Sequence, residues 1–272
     1  MEGLSLIFCG TSAGPQMPSY LEAVSNSATT RTSLKLATYN IKGLKIDREA
    51  VVQVLRDIDA DVVAIQEVPR WLRQRSRFET MARDAGMRIM VHGGYPRGGV
   101  TTALLVRPEI ASRVRTRGYK VMPLDPWRWF AVWRHSFILP SRRGFSFIDL
   151  GDYVVFSVHL GLSAAERAVH RNILLNYVDA HGHERAVVTG DINETPDGDS
   201  WHSLGRRLRD ALTCVTSNDT SAEYFTFSAT RPGRRIDAVF VGSNIRVFDV
   251  HVPHTDATAR ASDHLPIVAE LG

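Results

Sequence analysis

The residues of this chain that could do chemistry stand at the ends of short apolar runs. LKLATYNIKGL ends its apolar run at Asn40, and DVVAIQEV delivers Gln66 and Glu67. YVVFSVHLGL ends on His159, while AVVTGDIN delivers Asp191 and Asn193. Asp237 opens the run in RRIDAVFVG, and Asp263 and His264 stand just before the one in ASDHLPIVAEL. Carboxylates and imidazoles are the groups of acid–base catalysis, and carboxylate and amide oxygens suit hard divalent cations. Strand ends hold such side chains rigidly while leaving them open to a cleft. Taken singly, each has a plainer role. Asn40 could cap or turn the chain, Glu67 could be the solvated residue after a buried strand, and Asp191 and Asn193 could flank a turn after Gly190. His159 alone reads as a hydrogen-bonded structural histidine, and Asp237 as the surface partner of Arg234 or Arg235. The constellation is harder to dismiss than its members.

The elements that must position these residues follow from the hydrophobic pattern. Strands are expected over Leu34–Asn40, Asp61–Gln66, Ala103–Val106, Tyr153–His159, Ala186–Thr189, Ile236–Val241 and Ile267–Leu271. Asp47 can cap a helix with Val51, Val54, Leu55 and Ile58 on its apolar face. Ser163 and Glu166 have capping-box spacing for a helix that turns Ala168, Leu175 and Tyr177 inward and ends before Gly182. A third helix is expected after Ser200, carrying Leu204, Leu208 and Leu212. Residues 1–33 are rich in Ser, Thr, Gly and Pro without periodicity and read as a flexible tail, leaving 34–272 as one domain. Strands mixed with helices predict an α/β fold of mixed or antiparallel sheets with helices outside.

Composition narrows the classes. The net charge of +4 favours polyanionic partners mildly, and only four of the 33 basic residues are lysines, the rest being arginines suited to bidentate phosphate contacts. Cys9 and Cys214 are too few for a disulfide framework or a cysteine-based metal site. The N-terminus has no basic stretch before its short apolar run, and no apolar stretch approaches the ~20 residues needed to span a bilayer, so the cytoplasm is the expected setting. No Gly-x-Ser-x-Gly elbow follows a strand, which argues against a serine hydrolase.

The six motifs, in this order, resemble the endonuclease/exonuclease/phosphatase family from residue 35 to residue 271. ATYNIKGL is similar to its Asn-bearing first motif, IQEV to its Glu motif, VHL to its histidine motif and GDIN to its Gly-Asp-Phe-Asn turn. RRIDAVFV and SDHLPIVAEL resemble its closing pair. The resemblance implies a two-sheet sandwich flanked by helices, in four α/β/β/α layers, and hydrolysis of phosphoesters with Mg²⁺ or Mn²⁺. It implies Glu67 and Asn40 as metal ligands, with Asp263 beside the metal. It implies Asp191 as the group that positions or deprotonates the attacking water, with Asn193 directed toward the phosphate. His264 would contact a non-bridging oxygen with its imidazole oriented by Asp237, and His159 would act on the phosphate or the leaving oxygen. Where many members carry Gly-Asn before a central strand, this chain has Thr101 and Thr102 in GGVTTALLV.

The substrate has to be argued from loops. Pro126–Phe137 interleaves three tryptophans with Arg128 and Arg134, an arrangement able to stack bases and hold phosphates. Its alternation equally describes a strand buried in the sandwich. Arg142, Arg143, Arg231, Arg234 and Arg235 could line the cleft, with Arg128 and Arg235 the expected substrate contacts. Nucleic acid is the leading substrate on this reading, and a small organic or lipid-derived phosphoester the alternative.

Overall fold

Two six-stranded sheets pack face to face in the computed structural model, which describes residues 33–69, 72–93, 101–124 and 143–272. The expected tail (but for Ser33), the segment Pro126–Phe137 with Arg128, and Arg142 lie outside the described residues. The strands are β1 (Leu34–Asn40), β2 (Val62–Gln66), β3 (Arg88–His92), β4 (Thr102–Val106), β5 (Thr116–Val121), β6 (Gly144–Asp149), β7 (Val154–His159), β8 (Ala186–Asp191), β9 (Arg209–Asp210), β10 (Asp237–Val241), β11 (Val247–His251) and β12 (Ile267–Leu271). One sheet runs β11-β12-β1-β2-β4-β3 and the other β5-β6-β7-β8-β10-β9. Each has one parallel pair at its centre, β1 with β2 and β7 with β8, among antiparallel neighbours. No helix among the described residues is long and apolar enough to cross a membrane.

Period-two alternation sorts each strand between two cores. Leu34, Leu36, Val62, Ala64, Val155, Val187, Val239 and Ile267 fill the space between the sheets. Ala37, Tyr39, Val63 and Ile65 face the other way, against Val51, Val54 and Leu55 of helix Arg48–Ile58. On the far sheet Val154, Phe156, Val188 and Phe240 meet Leu174, Val178, Trp201 and Leu204. The result is a four-layer α/β/β/α sandwich, and fully burying one such aliphatic side chain contributes about 1.5–3 kcal/mol.

Two expected helices differ in detail. Helix Ala164–Ala180 starts as expected, with the Ser163 side chain accepting from the Glu166 amide, but its buried stripe is Glu166, His170, Leu174 and Val178. Ala168, Leu175 and Tyr177 flank that stripe half-buried, because two polar residues occupy the inward i, i+4 positions and disguise the face. The helix expected to join Leu204 to Leu212 is broken. Asp199–Gly205 ends at a glycine, β9 intervenes, and Ala211–Val215 restarts after an Asp210 cap. The edge strands β5 and β11 alternate too weakly to be read from sequence, being mostly exposed.

Candidate functional site

Strand direction gathers the chemistry at one end of the sandwich. A parallel pair brings its two C-terminal ends together, and each antiparallel neighbour adds its N-terminal end. On one sheet Asn40 is level with Gln66, and Gln66 with Thr102. On the other, Gly144, His159, Asp191 and Asp237 form one row. Inward positions change character toward this row. Below it, Thr38, Gln66 and Ser157 are linked, with Gln66 Nε2 donating to Thr38 Oγ1 at 3.0 Å and Ser157 Oγ at 3.2 Å, and Thr102 and Ser146 bond at 2.7 Å. These small polar groups satisfy one another where the apolar core gives way to the site.

Asp191 is the hub. Its Oδ2 accepts from Asn40 Nδ2 at 3.1 Å and lies 3.2 Å from His159 Nε2 and 4.0 Å from His264 Nε2, while Oδ1 accepts from the Asn193 amide at 2.9 Å. Burial alone would raise its pKa, but His159, His264 and Arg143 together hold it well below the ordinary carboxylate range. Gly190 just before it has φ +141°, and a Cβ there would stand 2.1 Å from the Val158 carbonyl oxygen. Asn193 takes a left-handed φ of 57°, which asparagine tolerates, and its side chain donates to the Leu160 carbonyl at 3.0 Å. That bond turns the amide toward the backbone of the histidine strand.

The two histidines sit in opposite environments. His264 Nδ1 is 2.8 Å from Asp237 Oδ2, and the Thr226 hydroxyl accepts from the Asp237 amide at 3.3 Å. Burial pulls the His264 pKa down, but Asp237, Asp191 and Asp263 outweigh it and lift it to about 9, so the ring is an imidazolium at neutral pH. Asp237 itself is pushed up by burial, against the pull of His264. Burial and the neighbouring Arg143 guanidinium push His159 the other way, toward the neutral ring. Its Nε2 is 3.2 Å from Asp191 Oδ2, Arg143 Nη1 contacts both ring nitrogens, and Thr101 Oγ1 lies 3.3 Å from Nδ1. Thr101, the first of the two threonines in GGVTTALLV, therefore contacts the histidine in this chain.

The third cluster is richer in oxygen. The Asn40 Oδ1 accepts from the Lys42 amide at 3.1 Å, and the Asn40 carbonyl accepts from Ser262 Oγ at 2.6 Å, tying β1 to the Asp263 loop. Asp263 pairs with the Lys42 ammonium. Glu67 follows β2 with φ 55°, half-buried, and its charge reaches both Lys42 and His159. Three oxygen donors thus stand about Lys42, Asp263 at its ammonium, Asn40 Oδ1 at its backbone amide and Glu67 within reach of its charge, and their chemistry fits a divalent metal. A second group, Asp191, Asp237 and His264, offers ligand atoms within 4.8 Å of one another and could also hold an ion. The Asp237 hydrogen bond and the proton of His264 oppose that use.

One expected residue is elsewhere. Arg235, read as a substrate contact, is buried, with Nη2 2.8 Å from Asp210 Oδ2 and its guanidinium 4.6 Å over the Trp201 ring. A carboxylate with little exposure demands a counter-charge, and Asp210 draws the arginine away from the cleft. Arg143, by contrast, reaches the site at His159, and exposed Arg234 stacks on Phe227, whose ring is 5.0 Å from that of His264. Sequence reasoning missed Lys42, although its place two residues after Asn40 in a glycine turn was visible.

With this geometry in hand, the comparisons are specific about family. The model of the Endonuclease/Exonuclease/phosphatase family matches residues 37–264. No curated protein matches the chain. Among solved structures, an endonuclease/exonuclease/phosphatase from Bacteroides vulgatus is 20% identical with a TM-score of 0.68, over 89% of this chain and 99% of that one. A mannosyl-6-phosphatase of Bacteroides thetaiotaomicron is 19% identical with a TM-score of 0.65, over 88% and 99%. A 3′ phosphatase from Neisseria, bound to a product DNA hairpin, is 19% identical with a TM-score of 0.62, also over 88% and 99%. At these identities the structures share the fold.

Proposed function

Because the chain belongs to the Endonuclease/Exonuclease/phosphatase family, whose members hydrolyse phosphoesters, we propose that it is a divalent-metal-dependent phosphoester hydrolase acting on nucleic acid. The observation that carries this reading is the convergence of Asn40, His159, Asp191, Asp237 and His264 from both sheets into one hydrogen-bonded cluster beside the oxygens of Glu67 and Asp263.

Asn40, Glu67 and Asp263 would hold Mg²⁺ or Mn²⁺, which when bound neutralises phosphate charge and acidifies water. The chain's own groups supply the rest. Asp191, a carboxylate held ionised by its neighbours, is a weak base and serves best to orient the attacking water. Imidazolium His264, fixed by Asp237, places a positive N–H against a non-bridging oxygen where charge develops. Neutral His159 faces the same carboxylate, and Asn193, its side-chain amide bonded to the Leu160 carbonyl, would stand at the turn beside the phosphate.

Nucleic acid is favoured by the net positive charge, by exposed Arg234 stacked on the Phe227 ring beside His264, and by the DNA held by the Neisseria relative. A small sugar or lipid-derived phosphate is the second reading, favoured by the withdrawal of Arg235 and by the mannosyl-6-phosphatase likeness. The test is a Mg²⁺/Mn²⁺ screen of oligonucleotides with 3′-phosphates, plasmid DNA, sugar phosphates and aryl phosphodiesters, repeated with Glu67→Gln. Turnover in EDTA equal to that with metal removes the metal from the reading. Turnover of sugar phosphates alone moves the second reading ahead.

A further inference from the structure

The turn after β1 carries a cation that none of these roles uses. Lys42, Gly43 and Leu44 all have positive φ, at 48°, 64° and 55°, so the chain folds back sharply after Asn40. This turn sets the Lys42 amide on Asn40 Oδ1 at 3.1 Å and brings its ammonium to the Asp263 carboxylate. Asp263 is the ammonium's hydrogen-bond partner, and the charge of Glu67 acts on it as well. One residue thus engages all three of the oxygen-bearing side chains assigned above to the metal. Its side chain is 42% exposed, which leaves it room to swing outward.

We propose that Lys42 is an internal counter-cation that trades places with the metal. In the metal-free protein its ammonium neutralises Asp263 and Glu67; an arriving divalent ion displaces it to the rim of the cleft. This rests on the metal reading above and gives it a charge selectivity. Replacing an ammonium by a monovalent ion gains no charge at the carboxylates, whereas a divalent ion gains one unit. Repulsion between the two cations makes the metal bind more weakly than the oxygens alone would hold it. Once displaced, the ammonium stands at the mouth of a site built for an anionic substrate.

The experiment measures Mn²⁺ binding to the full chain by calorimetry and by the loss of free-Mn²⁺ EPR signal. Lys42→Met is expected to bind Mn²⁺ roughly tenfold more tightly than wild type, and Lys42→Arg about as wild type does. Unchanged or weaker binding by a folded Lys42→Met overturns the proposal. A second measurement needs no variant, because the chain has only four lysines. Acetylation followed by mass spectrometry should find Lys42 protected in EDTA and several-fold more reactive in Mg²⁺, with Lys120 as the reference. Equal Lys42 reactivity with and without bound metal overturns the exchange. The two layers separate cleanly: if Glu67→Gln binds Mn²⁺ as well as wild type, the metal reading itself fails. If Glu67→Gln loses the ion but neither Lys42 measurement responds, only the counter-cation is lost.

Discussion

The Asn40 amide and the Asp191 carboxylate, 151 residues apart and on different sheets, meet in a 3.1 Å hydrogen bond. This bond spans the gap between the two central parallel pairs at the end where all the chemistry gathers. Asn40 donates through Nδ2 while its Oδ1 accepts from Lys42, so one amide connects the carboxylate hub to the oxygen-rich cluster.

Replacing Asn40 separates its two uses. Asn40→Ala should cost about 1–3 kcal/mol, because a buried acceptor and a backbone donor each lose a partner. Asn40→Asp should cost more in EDTA at neutral pH, since it buries a second carboxylate against Asp191. Urea denaturation of both variants checks the order. An Asn40→Asp protein as stable as wild type would mean the bond is incidental.

Asp191 and His264 should behave as one catalytic unit. Asp191→Asn and His264→Ala are each expected to lower kcat by about 10² or more. The double variant should lose much less than the product of the two, because either loss disables the shared centre. Steady-state turnover at saturating metal decides it, and strictly multiplicative losses would separate the two residues.

The His264 imidazolium gives a pH signature in the metal-free protein. Its pKa is lifted to about 9 in the fold, against about 6.5 in an unfolded chain. A raised pKa contributes stability that is fully present below the unfolded value and is lost as pH rises through the folded one. Stability in EDTA should therefore fall between about pH 6.5 and 9 on this account. Asp237→Asn should remove most of that slope and move the His264 ring signals in the NMR titration to a lower midpoint. An unchanged midpoint would detach Asp237 from the role of holding the proton.

Most of the site was legible because its residues interrupt apolar runs. Leu34–Asn40 is β1 as expected, and Asp47 caps Arg48–Ile58 by accepting from the Ala50 amide. Asp191 and Asp237 were visible as strand ends, but their pairing across β8 and β10 needed the topology. What sequence hid was long-range exchange of partners. Nothing local says that Arg235 turns to Asp210 while Arg143 turns to His159, since both are arginines flanking apolar strands. The fate of each depends on which buried carboxylate or ring lies across the fold. The inward face of Ala164–Ala180 was hidden by chemistry, with Glu166 and His170 occupying positions that a hydrophobic reading assigns to solvent.

Gly190 offers the sharpest test of how tightly the hub is built. Its φ of +141° is one that side-chain-bearing residues rarely adopt, and an added Cβ would meet the Val158 carbonyl oxygen at 2.1 Å and Gln66 Nε2 at 3.0 Å. The first contact is backbone of the neighbouring parallel strand, which cannot move aside without shifting His159 relative to Asp191. Gly190→Ala is therefore expected to destabilise the domain by about 2–4 kcal/mol and to lower turnover even below the melting transition. Gly233 is the matched control, with nothing within 4 Å of an added Cβ, so Gly233→Ala should stay within about 0.5 kcal/mol of wild type. Urea unfolding of the pair makes the comparison. Equal stability of the two variants would mean that β7 and β8 yield at this point, and that Asp191 is held by its side-chain partners rather than by the strand beneath it.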